Sequence, residues 1–144
     1  MAAIAPSALL LFTAATFLVR ADQAHDVLDQ IHHVATALSD GNAADAMTPF
    51  DKSFRDYDKL RDYFDALTRA FTITNEADVT DEQDAPNETK LTLQWSLTLT
   101  NAATGLSSPR GREVKARLVL KNGKWKILDF EPIDLFDPQL RPGE

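Results

Sequence analysis

The chain has 144 residues, of which 44% are hydrophobic and 26% charged, as is usual for a globular protein. That length allows one domain and excludes a second core of similar size. The 22 acidic and 15 basic residues give a formal net charge of −7, which argues against a nucleic-acid partner. Cysteine is absent, which excludes disulfides, thiol catalysis and thiolate metal ligands.

The first 21 residues have the character of a secretory signal peptide. The uncharged apolar run at positions 8–19 is shorter than the ~20 residues that a permanent transmembrane helix needs. Ala21 offers a small residue at a cleavage position, and polar sequence begins at Asp22. Because no Lys or Arg precedes the run, an uncleaved anchor or a misplaced start codon stays an alternative. We expect an exported protein, periplasmic or secreted, without a permanent membrane span.

Three helices are predicted next. Apolar residues three and four apart predict the first helix at 24–38. The sequence Asp-Gly-Asn at 40–42 ends it and starts a short second helix at 43–48. The third helix begins near Asp56, a suitable cap, and ends near Ala70.

After the helices, apolar residues recur at every second position, which predicts β-strands. The first strand covers 71–80 and places Asn75 on its buried side. An acidic loop is expected at 81–88. Perfect alternation at 91–99, with Trp95 at its centre, predicts the central strand, which faces its leucines onto the helices.

Two further strands complete a meander. A Gly-, Ser- and Pro-rich mobile loop is expected at 101–111, followed by a strand at 112–121. Asn122-Gly123 predicts a two-residue type I′ turn. The last strand covers 124–133, with a bulge near Asp129 where its alternation slips. The basic residues from Arg110 to Lys126 alternate along these strands, which indicates a solvated sheet face.

Three stretches carry a resemblance to a known family. They are Ala37-Leu38-Ser39-Asp40-Gly41-Asn42, Leu60-Arg61-Asp62-Tyr63-Phe64 and Gly123-Lys124-Trp125-Lys126-Ile127. With the element order, they resemble the nuclear transport factor 2-like superfamily, which includes SnoaL-like cyclases and ketosteroid isomerases. The resemblance implies an α+β cone over residues 22–137, with three N-terminal helices packed on a curved antiparallel four-stranded meander. It also implies a pocket between helices and sheet, and a disordered tail is expected at 138–144.

The resemblance bears on catalysis as well. Family members that isomerise steroids use an aspartate base between the second and third helices, with a tyrosine and a second acid as donors. Here only Asp51 can take the base position, with Tyr57 or Tyr63 as donor. No matching acid stands on the buried face of the strand at 90–100. This difference from the steroid isomerases weakens an assignment as an isomerase.

Polar-tipped and large side chains are candidates for a ligand pocket, although core packing is the favoured explanation for each of them taken separately. They are Tyr57, Tyr63, Asn75, Trp95 and Trp125. His25, Asp29 and His32 have helical metal-ligand spacing, but they fall opposite the apolar face. We therefore predict no metal and no cofactor.

Two functional hypotheses remain, beside a stress- or immunity-related partner role that no residue distinguishes. One is an exported, non-catalytic module that binds a small apolar ligand or another protein. The other is an isomerase, cyclase or hydrolase that uses Asp51. A closed apolar cone would favour the module, and two convergent titratable groups would favour the enzyme. The predicted outer sheet face is free of charge along one strand, which predicts a homodimer through that face: Thr92, Gln94, Ser96, Thr98 and Thr100.

Overall fold

Three helices precede a four-stranded antiparallel sheet, as the change of period predicts. A computed structural model describes the backbone of residues 4–140 and the side chains of residues 22–140. The elements are α1 (Ile4–Ser39), α2 (Ala43–Met47), α3 (Tyr57–Ala70), β1 (Phe71–Ala85), β2 (Glu88–Asn101), β3 (Ser107–Lys121), β4 (Lys124–Glu131) and a 3-10 helix (Asp134–Phe136). The strands follow one another in the order β1-β2-β3-β4. The predicted α+β meander is confirmed.

Helix α1 contains the predicted helix at 24–38 and begins earlier. Val27, Ile31, Val34 and Leu38 are fully buried, so the apolar stripe faces the sheet as expected. The predicted signal peptide overlaps the first part of α1, where the side chains lie outside the described residues, so export and cleavage stay predictions. In the part of the chain that the structure describes, no helix is both long and apolar enough to cross a membrane.

The junctions between helices follow the predicted turn chemistry with one exception. Gly41 has a φ of 75°, and the Asn42 side chain accepts a hydrogen bond from the Asp45 N–H at 3.0 Å. Asp56 holds the N-cap position of α3, but its side chain makes no capping hydrogen bond. The prediction of Asp56 as a side-chain cap is therefore wrong.

Both loops predicted from composition are wrong, because the strands continue through them. Strand β1 extends to Ala85, which pairs with Glu88, and only Pro86 and Asn87 form the turn. The acidic side chains of 81–84 are exposed to solvent on β1, so their negative charge destabilises the pairing of β1 with β2 only slightly. Strand β3 starts at Ser107, opposite Thr100, so only residues 102–106 form a turn.

The last hairpin follows its sequence signals. Asn122 and Gly123 have φ angles of 51° and 77°, as a type I′ turn requires. Arg117 pairs with Asp129 while Leu118 pairs with Ile127, so Leu128 is an extra residue in β4. This is the bulge that the slipped alternation predicts. A second bulge, at Thr80 between Val79 and Asp81, lies in β1.

The outer edge of β4 is covered by the segment between α2 and α3. Phe50 forms a parallel bridge with Ile127. The Ile127 N–H donates to the Pro49 carbonyl at 2.8 Å, and the Asp51 N–H donates to the Ile127 carbonyl at 2.9 Å. This segment therefore acts as a short fifth strand and fixes the position of Asp51.

The inner face of the sheet forms the core together with the helices. Five alternating residues of β2 are at most 2% exposed: Leu91, Leu93, Trp95, Leu97 and Leu99. The chain does not leave this core after β4, since Leu135 and Phe136 are fully buried. Residues 138–140 also make contacts, described below, whereas residues 141–144 of the predicted tail lie outside the described residues.

Candidate functional site

Aromatic rings fill the interior of the cone. Trp95 meets Phe130 and Phe136 with ring centroids 5.7 and 5.6 Å apart, in edge-to-face geometry. Phe136 also meets Phe64 at 5.1 Å, and Phe50 meets Phe130 at 5.3 Å. These are favoured arrangements of aromatic pairs, each worth about 0.5–1.5 kcal/mol beyond area burial. Phe136 thus occupies the centre of the space between helices and sheet.

Two arginines hold the segment that carries Phe136. We call residues 133–140 the strap. Arg110 donates from Nη1 to the carbonyls of Leu135 at 2.8 Å and Asp137 at 2.7 Å, and from Nη2 to that of Leu140 at 3.2 Å. Burial lowers the pKa of Arg110, and the charge of Asp137 opposes that shift. The prediction that this arginine belongs to a solvated face is wrong, because Arg110 lies opposite the inward-facing Leu97.

Arg112 makes the second attachment. Its Nη2 donates to Asp134 Oδ2 at 2.9 Å. The other oxygen, Asp134 Oδ1, is buried and has no hydrogen-bond partner among the described residues. Arg112 pairs in register with Trp95, so it too belongs to the inner face. The open end of the cone is therefore closed by a polar clamp above an apolar interior.

Asp51, the candidate base, is fully engaged in structural contacts. Its Oδ1 accepts hydrogen bonds from the Ser53 N–H at 2.9 Å and the Ser53 hydroxyl at 2.6 Å. Its Oδ2 forms an ion pair with Lys121 Nζ at 3.2 Å. The Ser53 hydrogen bonds, helped by Lys121 and opposed by burial, lower the pKa of Asp51 to about 2. A general base works best with a pKa near the operating pH, so this carboxylate is poorly suited to that role.

The two candidate tyrosines lie apart. Tyr57 lines an open surface cleft of about 490 Å³ together with Asp51, Phe50 and Lys126. Tyr63 is not among the residues that line this cleft, and Lys59 Nζ lies 5.7 Å from the centroid of its ring. The structure brings Asp51 near Tyr57 on the surface and does not bring either into the interior.

The remaining pocket candidates occupy different environments. Trp95 is fully buried, and its Nε1 donates to Asn75 Oδ1 at 3.1 Å. Asn75 Nδ2 donates to the Ala35 carbonyl and to Ser39 Oγ, both at 2.8 Å. Trp125 lines a separate surface groove beside α1. The five predicted pocket residues therefore do not surround one cavity, and the Asn75 amide is satisfied by protein groups.

The histidines of α1 do not form a catalytic or metal centre. His25 Nε2 lies 3.5 Å from Asp29, with both side chains more than half exposed. His33 Nε2 lies 3.0 Å from Asp45 Oδ1 and 3.2 Å from Thr48 Oγ1. Because both groups approach the same nitrogen, the imidazole cannot relay a proton between them as in a triad. The described part of the chain holds no group of three or more side chains placed to bind a metal ion.

The outer face of the sheet carries exposed and half-exposed side chains on all four strands. Its upper half, from the row of Thr98 to that of Thr100, carries exposed or half-exposed hydroxyl side chains on three strands and no charge: Thr72, Thr74, Thr98, Thr100 and Ser107. The next row pairs Ser96 with the exposed Glu76. Its lower half, towards Lys90, forms a groove of about 410 Å³ where the two bulges bend the sheet. Charges of both signs line that groove: Asp81, Lys90, Lys115, Arg117, Asp129 and Glu131.

No protein-family model and no curated protein matches the chain. Solved structures match its fold. A putative scytalone dehydratase from Novosphingobium aromaticivorans superposes with a TM-score of 0.68 at 10% identity, covering 82% of this chain and 85% of that one. A nuclear transport factor 2-like superfamily protein from Salmonella enterica gives 0.62 at 9% identity, covering 83% and 94%.

A ketosteroid isomerase-like protein from Erwinia carotovora also matches, with a TM-score of 0.62 at 13% identity over 74% of this chain and 91% of that one. The chain therefore has the nuclear transport factor 2-like fold, as the resemblance implies. At these identities the likeness concerns the fold alone.

The strap and its two arginines are the features that sequence reasoning missed. A signal for them existed, because Arg110 and Arg112 continue the spacing of two set by the buried Val114, Ala116 and Leu118. If this alternation is extended towards the N terminus, through the loop predicted at 101–111, both guanidinium groups fall on the inner face of the sheet.

Proposed function

We propose that the protein is an exported, non-catalytic interaction module that binds a second copy of itself through the outer sheet face. One observation carries the proposal. Among the described residues, Thr89 is the only polar one that is buried as a whole. The partly buried titratable groups Arg110, Arg112 and Asp134 are held in the clamp that closes the cone. An acid–base enzyme of this fold would need such groups to converge on a cavity.

The filled interior also weighs against a small apolar ligand. Phe136 occupies the position between Phe64, Trp95 and Phe130 where a ligand would sit. A ligand in the cone would have to displace this ring together with the strap that Arg110 holds. The open clefts at the surface give a small molecule much less enclosure than most ligand sites provide.

The outer face suits a protein partner. Its upper half offers small hydroxyl side chains across three strands, which can approach another sheet closely and exchange hydrogen bonds with it. A two-fold axis lets one patch meet its own copy, so a single surface is sufficient for a homodimer. The upper half itself is uncharged, so it adds no like-charge contact to the general repulsion between two chains of formal charge −7.

The test places a large cation in the centre of the face. Ser96 is exposed at the junction of the two halves, and Ser96→Arg should shift the protein from dimer to monomer in sedimentation equilibrium. Thr36→Arg, at an exposed position of α1, is the matched control and should leave the dimer intact. Circular dichroism should be the same for all three proteins. A wild-type monomer at tens of micromolar would refute the proposal.

A further inference from the structure

The turn between β3 and β4 carries an asparagine with an unrestrained side chain. Asn122 and Gly123 are both exposed to solvent, and they join Lys121 to its strand partner Lys124. Within the described residues, neither the Asn122 side chain nor the Gly123 N–H has a hydrogen-bond partner. A Cβ atom added to Gly123 would meet no heavy atom within 4 Å. The side-chain carbonyl carbon of Asn122 is therefore open to attack by the next backbone nitrogen.

Three other asparagines of the chain have restrained side chains. The Asn42 oxygen accepts a hydrogen bond from α2 at 3.0 Å. The Asn101 oxygen accepts two hydrogen bonds, at 2.8 and 3.1 Å, from the turn that follows it. The Asn75 amide is bonded both to the end of α1 and to the indole of the neighbouring strand. These contacts oppose the rotation that a reaction with the following peptide group requires.

Asn87, in the turn between β1 and β2, is the natural comparison for Asn122. It is also exposed and has a positive φ, 61°, and its side chain has no hydrogen bond among the described residues. However, Glu88 follows it, and that side chain shields the backbone nitrogen. Gly123 has no side chain, so its nitrogen can approach a neighbouring group closely. Asn122 therefore combines an unrestrained amide with an unhindered nucleophile.

The reaction open to this pair is loss of ammonia through a cyclic imide. The Gly123 nitrogen gives up its proton to solvent and bonds to the side-chain carbonyl carbon of Asn122. The bond from that carbon to the amide nitrogen breaks, and the nitrogen takes up a proton and leaves as ammonia. Water then opens the ring: addition at the side-chain carbonyl gives aspartate, and addition at the main-chain carbonyl gives isoaspartate. Ammonia leaves and water enters, so no redox partner is required.

We propose that Asn122 is a site of spontaneous modification, where the folded protein converts with time to aspartate and isoaspartate. Aspartate is compatible with the turn, because Asp-Gly also favours type I′ geometry. Isoaspartate lengthens the main chain by a methylene group, which disturbs the pairing of Lys121 with Lys124. Both products add a negative charge to the turn.

The new charge affects the contact that holds Asp51. Lys121 Nζ forms an ion pair with Asp51 Oδ2 at 3.2 Å. The Cα atom of residue 122 lies about 3.8 Å from that of Lys121, so a carboxylate there competes for the same ammonium group. Modification of Asn122 therefore weakens the attachment of the segment that covers the edge of β4.

Incubation of the full chain at mildly alkaline pH tests the site. After digestion at arginine, the peptide that begins at Leu118 contains Asn122 as its only asparagine. Tandem mass spectrometry should show the exchange of amide for acid in this peptide, with both isomers present, before any change at Asn87. Asn122→Gly, which keeps a dipeptide that favours the same turn, should leave this peptide unchanged. An intact Asn122 after incubation, or an earlier change at Asn87, would overturn the proposal.

A double-mutant cycle tests the link to Asp51. Asn122→Asp reproduces one product, and it should lower the urea midpoint of otherwise wild-type protein. The same change should have a smaller effect in an Asp51→Asn background, where Lys121 has already lost its partner. Equal effects in the two backgrounds would refute the link. Circular dichroism should show that every variant is folded before denaturant is added.

Discussion

Trp95 of the sheet and Asn75 of the neighbouring strand are joined by one hydrogen bond inside the core, from the indole N–H to the amide oxygen. The same amide donates to the end of α1, so a single side chain ties the first helix to two strands. The indole N–H of the largest core residue therefore has a protein hydrogen-bond partner. Trp95 therefore packs in the core, and Asn75 connects α1 to the sheet. Neither residue lines an open pocket.

Replacing Trp95 should test this packing. Trp95→Ala would remove three edge-to-face or hydrogen-bond partners and leave a cavity, with an expected loss of roughly 3 to 5 kcal/mol in the free energy of unfolding. Thr98→Ala, on the outer face of the same strand, should cost well under 1 kcal/mol. Urea denaturation of both variants measures the difference. Similar losses would mean that both faces of β2 are buried.

Removing the Arg110 clamp should loosen the strap. Arg110→Met keeps an apolar stem but deletes the donors to three carbonyl oxygens, for an expected loss of roughly 1.5 to 3 kcal/mol. Arg55→Met is the control, because Arg55 is 84% exposed and its nearest carboxylate is 3.9 Å away. Hydrogen exchange should accelerate at residues 133–140 in the first variant alone. Unchanged exchange there would show that the apolar contacts of Phe136 suffice.

The contribution of Asp51 should depend on pH. Its pKa is lowered in the folded protein from 3.8 to about 2, so it stabilises the fold fully above about pH 4 and loses that effect as the pH falls towards 2. We expect Asp51→Asn to cost roughly 1 to 2 kcal/mol at pH 7, after allowance for solvent screening. The gap to wild type in urea denaturation should narrow at pH 3. A gap that stays constant would contradict an ionised Asp51 as its source.

Export should remove the first 21 residues. Intact-mass measurement of protein from the periplasm or medium should give a chain that begins at Asp22. Such cleavage would retain Gln23, whose Nε2 donates to the Ala85 carbonyl at 3.1 Å and to Thr89 Oγ1 at 3.0 Å, so α1 would stay attached to the hairpin. Recovery of the full-length chain in the membrane fraction would contradict export by a cleaved signal.

The fold could be predicted where one periodicity ran unbroken. Every second residue of β2 is apolar from Leu91 to Leu99, so only one register buries them all. Asn122-Gly123 was equally informative, because few dipeptides tolerate two positive φ angles. These local signals agree with the final packing, and they were sufficient to define the meander.

Prediction failed where composition suggested a loop but pairing continued. Pro109 and Gly111 sit within β3, opposite Thr98 and Ser96, because the neighbouring strand supplies a ladder that the sequence alone does not reveal. The candidate site failed for a related reason. The low pKa of Asp51 comes first from the hydrogen bonds of Ser53, and the distant Lys121 adds to it through an ion pair that the sequence does not reveal. The filled interior depends on Phe136, which follows the last strand. Long-range contacts of this kind leave no local pattern.

The bridge between Phe50 and Ile127 also protects the protein from aggregation. An uncovered strand edge is a template for another chain, and here the edge of β4 is already occupied. In the part of the chain that the structure describes, the opposite edge belongs to β1, where Glu76, Asp78 and Asp81 flank the bulge at Thr80. Negative charge and an irregular backbone both hinder the addition of a further strand. Both edge strands of the sheet therefore disfavour the edge-to-edge pairing with other chains that leads to fibrils.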